Sequence, residues 1–256
     1  MIDLVLIGIG TGNPDHLTRA AVAAMNAADL LLLPRKGDAK SDLIDLRRSI
    51  CARVLTGATR IVEFDLPQRG GETPYLDAVE HWHDAIAACW RAQIERHLPE
   101  GGRLALLVWG DPSLYDSSLR IAERLRRDGM AMRVQVEPGI TSLQVLTAAH
   151  AIPLNTLAAP VLITTGRRLR SGGWPDGIDS VAVMLDAGCA FEALDPHGIT
   201  IWWGAYLGMP AQALLAGPLV GIAGQIAQTR AQLRERHGWI MDIYLLRRAA
   251  SDQSNA

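Results

Sequence analysis

Along the first 150 residues, unbroken apolar runs alternate with stretches of helical pattern. Leu4–Ile7 is wholly apolar and runs into Gly8-Ile9-Gly10-Thr11-Gly12. Thr18–Ala28 has a helix pattern, with Thr18 placed to cap its first turn. Leu30–Leu33 is the second apolar run, stopped by Pro34, and Arg60–Phe64 predicts a third strand. Pro74–Leu98 predicts a long helix opened by one proline and closed by Pro99. Leu104–Trp109 is the fourth strand, Ser113–Arg127 a helix halted at Gly129, and Arg133–Val136 the fifth strand. Continuous apolar strands separated by helices signify an α/β fold with a parallel sheet covered on both faces.

After Ile152-Pro153-Leu154-Asn155 the pattern restarts. Val161–Thr165, Val181–Leu185, Ile199–Trp203 and Trp239–Leu246 predict the strands of a second sheet, and Thr229–Arg236 lies in a helix with a charged face. These readings divide the chain into an N-terminal α/β domain (1–152), a C-terminal α/β domain (153–248) and a polar, disordered tail (249–256). No charge occurs from Gly198 to Thr229. Glycines, Pro210 and Pro218 interrupt that stretch, and Gln212, Gln225 and Gln228 would need partners in lipid. It predicts a buried, glycine-rich part of the second domain, not a membrane span.

Composition narrows the function. A chain of 256 residues that is 49% apolar buries a full core, and its length suits two domains. The net charge is −2, without the basic excess of a nucleic-acid binder. Cys51, Cys89 and Cys189 are far apart in sequence and odd in number, which disfavours structural zinc and a disulfide framework. The opening MIDLVLIGIG carries Asp3 and runs straight into a glycine turn, so it predicts a first strand, not a signal peptide, in a cytoplasmic protein.

Ligands of a parallel sheet bind outside the carboxyl ends of its strands, and three loops there are unusual. The first is Gly8-Ile9-Gly10-Thr11-Gly12-Asn13-Pro14. It is not a dinucleotide fingerprint, because Asn13 stands where G-x-G-x-x-G needs its third glycine, and no GK[ST] occurs for a P-loop. The second is Trp109-Gly110-Asp111-Pro112-Ser113-Leu114-Tyr115, in which Asp111 either caps a helix or faces a polar ligand. The third is Glu137-Pro138-Gly139-Ile140-Thr141-Ser142, a strand end followed by a helix cap.

In this order and spacing the three loops resemble the tetrapyrrole methylase family. Its opening motif G-x-G-P-G-D-P-x-x-L-T stands at Gly8 to Thr18 with Thr11 for proline and Asn13 for aspartate; its G-D-P-x-x-Y lies at Gly110 to Tyr115 and its E-P-G-x-[ST]-[SA] at Glu137 to Ser142. The resemblance covers nearly the whole chain. It implies a two-domain fold, with a five-stranded parallel N-terminal sheet and a mixed C-terminal sheet, and a homodimer. It implies methyl transfer from S-adenosylmethionine held between the domains by Thr11, Trp109, Gly110, Asp111, Leu114, Thr141, Ser142 and Met184, with Ala205, Tyr206 and Leu207 closing over the adenine. The wording GIGTGNPDHLT, WGDPSLYDSSLRIAERL and VEPGITSLQVLTAAHAIPLN is similar to a branch acting on a corrin precursor. That likeness implies methylation of carbon 1 of precorrin-5 with loss of acetate.

Such a substrate carries many carboxylates, which arginine pairs bidentately. Candidate substrate residues are Gly10 and Gly12 beside the macrocycle and Arg35, Lys36, Arg167 and Arg168 for its carboxylates, with Arg170 in the same loop. The family's aspartate after the second strand is Pro34 here, so no catalytic base carries over. Asp15, His16, Lys36 and Asp38 are candidates by location only. His81 and His83 do not share a helix face, so neither a metal nor a catalytic role is expected of them. No metal site is expected. Two competing readings are a family branch acting on a macromolecule (diphthine synthase or a ribosomal-RNA methyltransferase) and a cofactor-binding module without catalysis. The charge of −2 disfavours RNA, and the intact second and third loops disfavour the module.

Overall fold

The structure is a computed structural model that describes residues 1–35, 41–67 and 75–248, with backbone only at 41–43, 75 and 76. Contacts divide the chain into two compact units, Met1–Thr141 and a second beginning at Ser142. The boundary expected at 152/153 lies C-terminal to this division, with one helix between the two. The tail 249–256, Lys36, Asp38 and Pro74 lie outside the described residues.

The first unit runs β1 (Ile2–Gly8), α1 (Arg19–Asn26), β2 (Leu30–Arg35), α2 (Ser41–Val54), β3 (Arg60–Asp65), α3 (Tyr75–His97), β4 (Gly102–Val108), α4 (Ser118–Arg127) and β5 (Met132–Glu137). The strand order is β3-β2-β4-β1-β5 and every pairing is parallel. Side chains of a strand alternate between faces, and both faces are buried here. Leu4, Leu6, Leu30, Leu32, Leu104 and Leu106 pack with Trp90 and Ile94 of α3 and Ile121 and Leu125 of α4. Val5, Ile7, Leu31, Leu33, Ala105 and Leu107 pack on the other side with Ala21 and Met25 of α1 and Ile50 of α2. The unbroken apolar runs follow from this two-sided burial. Thr18 caps α1 as expected, its Oγ1 accepting the Ala21 N–H at 3.0 Å.

Because β4, β1 and β5 are neighbours, the loops that leave their carboxyl ends are neighbours too. Sheet order, and nothing nearer in sequence, collects the three loops on one edge. The helix expected from Ser113 begins only at Ser118, so Ser113–Ser117 is loop at that edge. Helix α2 was not anticipated: the sequence reading assigned nothing to Ser41–Val54.

The second unit runs α5 (Ser142–His150), β6 (Val161–Thr165), α6 (Gly166–Gly172), β7 (Ser180–Met184), β8 (Ile199–Ala205), β9 (Ala213–Pro218), α7 (Leu219–His237) and β10 (Asp242–Arg248). Its sheet order is β6-β7-β10-β8-β9; β6 and β7 are parallel and the other pairs antiparallel, giving the expected mixed sheet. Four strands were anticipated; β9 was not, since Pro210, Gly217 and Pro218 punctuate its surroundings. The uncharged stretch from Gly198 folds as β8, β9 and the first turns of α7. No helix among the described residues is long and apolar enough to cross a membrane. Burial raises the Cys51 and Cys189 thiols to about 11, which keeps both protonated and unreactive at neutral pH.

Helix α7 starts ten residues before the segment first read as helical, at Leu219, and therefore contains Gly221 and Gly224. A Cβ at Gly224 would meet nothing within 4 Å. Gly224→Ala therefore raises stability by about 0.5–1 kcal/mol, because alanine loses less backbone freedom in a helix. Denaturant titration checks this; a lower midpoint contradicts the helix environment described here.

Candidate active site

Backbone lies directly on backbone where the three loops meet. Gly10 and Gly110 form a two-bonded antiparallel bridge: the Gly110 N–H donates to the Gly10 carbonyl at 2.8 Å, and the Gly10 N–H returns a bond at 3.3 Å. Gly10 holds a φ of +69°, a left-handed conformation that glycine adopts at little cost. At Gly139 the constraint is space. A Cβ there would stand 2.0 Å from the Gly110 carbonyl oxygen and 2.8 Å from Gly8, so nothing larger than glycine fits. Thr141, at the end of the third loop, is buried.

Asp111 ties this arrangement together. Its Oδ1 accepts the Ser113 N–H at 2.8 Å and the Ser113 hydroxyl at 2.5 Å, while Oδ2 accepts the Gly139 N–H at 2.9 Å. Of the two roles open to Asp111 in the sequence, helix capping is ruled out, because no helix begins before Ser118. The carboxylate closes a turn on its own loop and fastens it to the third loop. Burial alone pushes the Asp111 carboxyl up, but the Ser113 hydroxyl and the Gly139 and Ser113 N–H donors outweigh it, and the net shift is downward. Asn13, in place of the family's aspartate, caps a short 3-10 turn over Pro14–His16 through the Asp15 N–H at 2.9 Å.

Two polar atoms at this edge are buried with no hydrogen-bond partner among the described residues: Thr11 Oγ1 and Trp109 Nε1. An unsatisfied buried donor costs about 1–3 kcal/mol. Two of them on a strand-end edge are what a polar ligand would satisfy, so this edge fits a small polar cofactor. Leu114, with its N–H bonded to the Asp111 carbonyl at 3.2 Å, lies on the second loop.

The remaining expected residues are distributed as follows. Arg35 ends β2 and forms an exposed pair with Asp65 at the end of β3, 2.9 Å apart. Asp15 forms an exposed pair with Arg53 at 2.6 Å. His16 Nδ1 is buried without a hydrogen-bond partner among the described residues, close to Gly10. In the second unit, Met184 ends β7 and Ala205 ends β8. These strands are parallel to each other across β10, so both residues lie on one edge of that sheet. Tyr206 has a φ of +48°, and its ring is buried in the core with the hydroxyl donating to the Trp239 carbonyl at 2.5 Å. Leu207 is buried beside it.

Arg167, Arg168 and Arg170 are not in an extended loop, as expected, but on α6, because the Thr165 hydroxyl accepts the Arg168 N–H and starts a helix there. Arg170 is fixed by the Gly188 carbonyl at 2.7 Å and by Asp186 at 3.3 Å. Arg167 and Arg168 are exposed. Asp186 itself is buried and accepts from the Gly188 and Ala190 N–H groups and the Tyr244 hydroxyl.

The sequence reading missed Arg47. Its guanidinium lies over the Trp109 ring, 5.1 Å from the centroid, and burial pulls it down to about 10, with Asp116 acting in the opposite direction. The signal was faint: α2 had to be recognised as a helix before Arg47 could be aimed at Trp109.

An α/β chain with a glycine-built edge on a five-stranded parallel sheet, followed by a mixed sheet, defines a class. The profile of the Tetrapyrrole (Corrin/Porphyrin) Methylases matches residues 3–223, and the chain belongs to that family of methyltransferases. A Sinorhizobium precorrin-6A synthase [deacetylating] is 46% identical over 253 residues, covering 98% of this chain and 97% of that protein. A crystal structure of a cobalamin-synthesis-related protein (CobF) of Corynebacterium diphtheriae superposes with a TM-score of 0.82 at 38% identity, covering 97% of this chain and 99% of that one. The uroporphyrin-III C-methyl transferase of Thermus thermophilus, crystallised with S-adenosyl homocysteine, shares the fold at a TM-score of 0.56 and 20% identity, covering 95% of this chain and 96% of that one.

Two predictions follow from the Asp111 contacts. Asp111→Asn replaces the acceptor of the Gly139 N–H by a weaker one and lowers stability by about 1.5–3 kcal/mol at neutral pH. The folded-state pKa is depressed, so the carboxylate's contribution is present above about pH 4 and is lost as pH falls through the folded value. The gap between wild type and Asp111→Asn therefore narrows below about pH 4, as urea titrations at several pH values will show. Gly139→Ala forces the loops apart and destabilises the first unit by several times that of an ordinary Gly→Ala change; an unchanged melting temperature contradicts the close approach.

Proposed function

We propose that this chain catalyses the precorrin-6A synthase reaction: methylation of carbon 1 of precorrin-5 by S-adenosylmethionine, with the acetyl group leaving as acetate. The observation that carries the reading is the identity with the Sinorhizobium enzyme, which extends over nearly the full length of both chains. The sulfonium supplies an already activated methyl group. The protein's task is to hold an electron-rich ring carbon in line with it, at near-attack distance and away from water.

The cofactor is assigned to the edge formed by Thr11, Trp109, Gly110, Asp111, Leu114 and Thr141. The two buried, unpartnered polar atoms beside the Gly10–Gly110 bridge support this assignment. Ser142, Met184, Ala205, Tyr206 and Leu207 are carried by the second unit, and their part in binding rests on the family resemblance. Gly10 and Gly12 border the macrocycle in the same reading. The enzyme is a cytoplasmic homodimer by that resemblance, which light scattering tests for the oligomer.

Substrate carboxylates are assigned to Arg35, Lys36, Arg167 and Arg168. An exposed ion pair contributes less than about 1 kcal/mol, so a substrate carboxylate can displace Asp65 from Arg35. Arg170 is different: its guanidinium is engaged by Asp186 and Gly188. Arg167→Gln with Arg168→Gln therefore raises the KM for precorrin-5 and leaves S-adenosylhomocysteine affinity alone, whereas Arg170→Gln lowers the melting temperature. Equal KM values for wild type and the double variant contradict the assignment.

The direct test incubates the protein with S-adenosylmethionine and precorrin-5 generated enzymatically in situ, and follows products by mass spectrometry. One methyl group gained and one acetate released per turnover is the expected result. Methylation without acetate release identifies another corrin methyltransferase, and neither product overturns the reading. Asp111→Ala, measured by calorimetry, weakens S-adenosylhomocysteine binding roughly 10- to 100-fold.

A further inference from the structure

Removing an acetyl group from a ring carbon needs a nucleophile at the acetyl carbonyl, and Asp15, one of the candidates by location, is held in an exposed ion pair. A different pair stands at the same sheet edge. Ser117 precedes α4 in the N-cap position, yet its hydroxyl makes no capping bond; the Ser118 N–H is taken by Asp116 Oδ1 at 2.7 Å. The Ser117 Oγ instead meets His83 Nε2 at 2.9 Å. His83 lies on α3 and is 3% exposed. Arg124 of α4 fixes the two helices to each other through Asp84, at 2.8 Å, and Glu80, the residues that flank His83 on α3.

Ser117 opens on a pocket of about 330 Å³ at the carboxyl ends of β2 and β4, whose lining includes Pro34, Arg47, Trp109, Tyr115 and Asp116. Trp109 begins the loop that continues into Gly110 and Asp111, so this pocket adjoins the edge assigned to the cofactor. Burial, followed by the Arg124 guanidinium, holds His83 below its ordinary value, so the imidazole is neutral at pH 7 and can accept a proton. The Nδ1 atom has no hydrogen-bond partner among the described residues, which makes this a Ser–His dyad and not a triad.

We infer that Ser117 is the acetyl acceptor of the reaction and His83 its general base. This rests on the precorrin-6A synthase reading above. The Ser117 Oγ attacks the acetyl carbonyl carbon and its proton passes to His83 Nε2. The bond from that carbon to ring carbon 1 breaks, and its electron pair stays on the conjugated macrocycle. That pair then takes the methyl group, while the S–CH3 electrons return to sulfur. His83 releases its proton to solvent and takes one from a water molecule; the hydroxide attacks the seryl ester, and acetate leaves as His83 returns a proton to Ser117. The Arg47 guanidinium, stacked on Trp109 in the same pocket, supplies positive charge for a substrate carboxylate.

The test uses the full-length protein with S-adenosylmethionine and precorrin-5 generated in situ, quenched in acid and digested for peptide mapping. Wild type carries an acetyl group on the Ser117 peptide during turnover. Ser117→Ala loses this mark and releases acetate at least 100-fold more slowly, with S-adenosylhomocysteine affinity by calorimetry unchanged. Ser117→Cys keeps a nucleophile and carries the acetyl group as a thioester on the same peptide, which holds the test open if the alanine variant folds poorly. His83→Asn slows acetylation by 4-nitrophenyl acetate at residue 117 without any methyl donor present. Acetate release by Ser117→Ala at the wild-type rate overturns the dyad and leaves the proposed function standing. A wild-type protein that yields neither methylated product nor acetate overturns both.

Discussion

One carboxylate holds the candidate site in shape. Asp111 accepts three hydrogen bonds, two from its own turn and one from the backbone of the loop after β5. That contact works only because the loops approach until backbone touches backbone, with Gly139 against the Gly110 carbonyl and Gly8. The close approach in turn depends on the central order β4-β1-β5. Sequence-distant segments become one rim because parallel pairing aligns their carboxyl ends, and the two-sided apolar core keeps the strands in that register.

The second unit relies on charge where the first relies on close packing. Arg230 on α7 reaches Asp242 Oδ2 at 2.9 Å and the Asp186 carbonyl at 2.8 Å, and Tyr244 donates to the Asp186 carboxylate. All four residues lie in or beneath the edge where β7 and β8 end and β10 begins. Burial pushes the Asp186 carboxyl up, yet the N–H groups of Ala190 and Gly188 and the Tyr244 hydroxyl draw it down, so it is ionised in the fold. Gly166 stands so close to this carboxylate that an added Cβ would lie 2.2 Å from Oδ1. Breaking one member leaves a buried charge without its partner, the costly case for such networks.

Much of this was legible in the sequence, for reasons that can be located. Leu4–Ile7, Leu30–Leu33 and Leu104–Trp109 read as buried parallel strands because both faces of each strand are covered. The three loops were visible because glycine, proline and aspartate at strand ends have few other uses. Secondary elements without an apolar signature were harder. Strand β9 was obscured by glycine and proline, α2 went unassigned, and Ser113 read as a helix start although Asp111 and Asp116 instead bend the chain until Ser118. The arginines at 167–170 read as a loop because the Thr165 cap carries a weak signal in sequence. Two further pairings, Arg47 with Trp109 and His83 with Ser117, join residues more than thirty positions apart on separate elements. Neither periodicity nor spacing reports such a meeting; only the packing of α2 and α3 against the sheet does.

The central claim is that the rim built by the loops after β1, β4 and β5 is where the methyl donor binds. A crystal structure of the protein with S-adenosylhomocysteine tests it most directly. The account predicts ligand density against Thr11, Gly110, Asp111 and Thr141, with Thr11 Oγ1 or Trp109 Nε1 hydrogen-bonded to the ligand. Density at full occupancy elsewhere on the chain, with that rim holding only solvent, would contradict it.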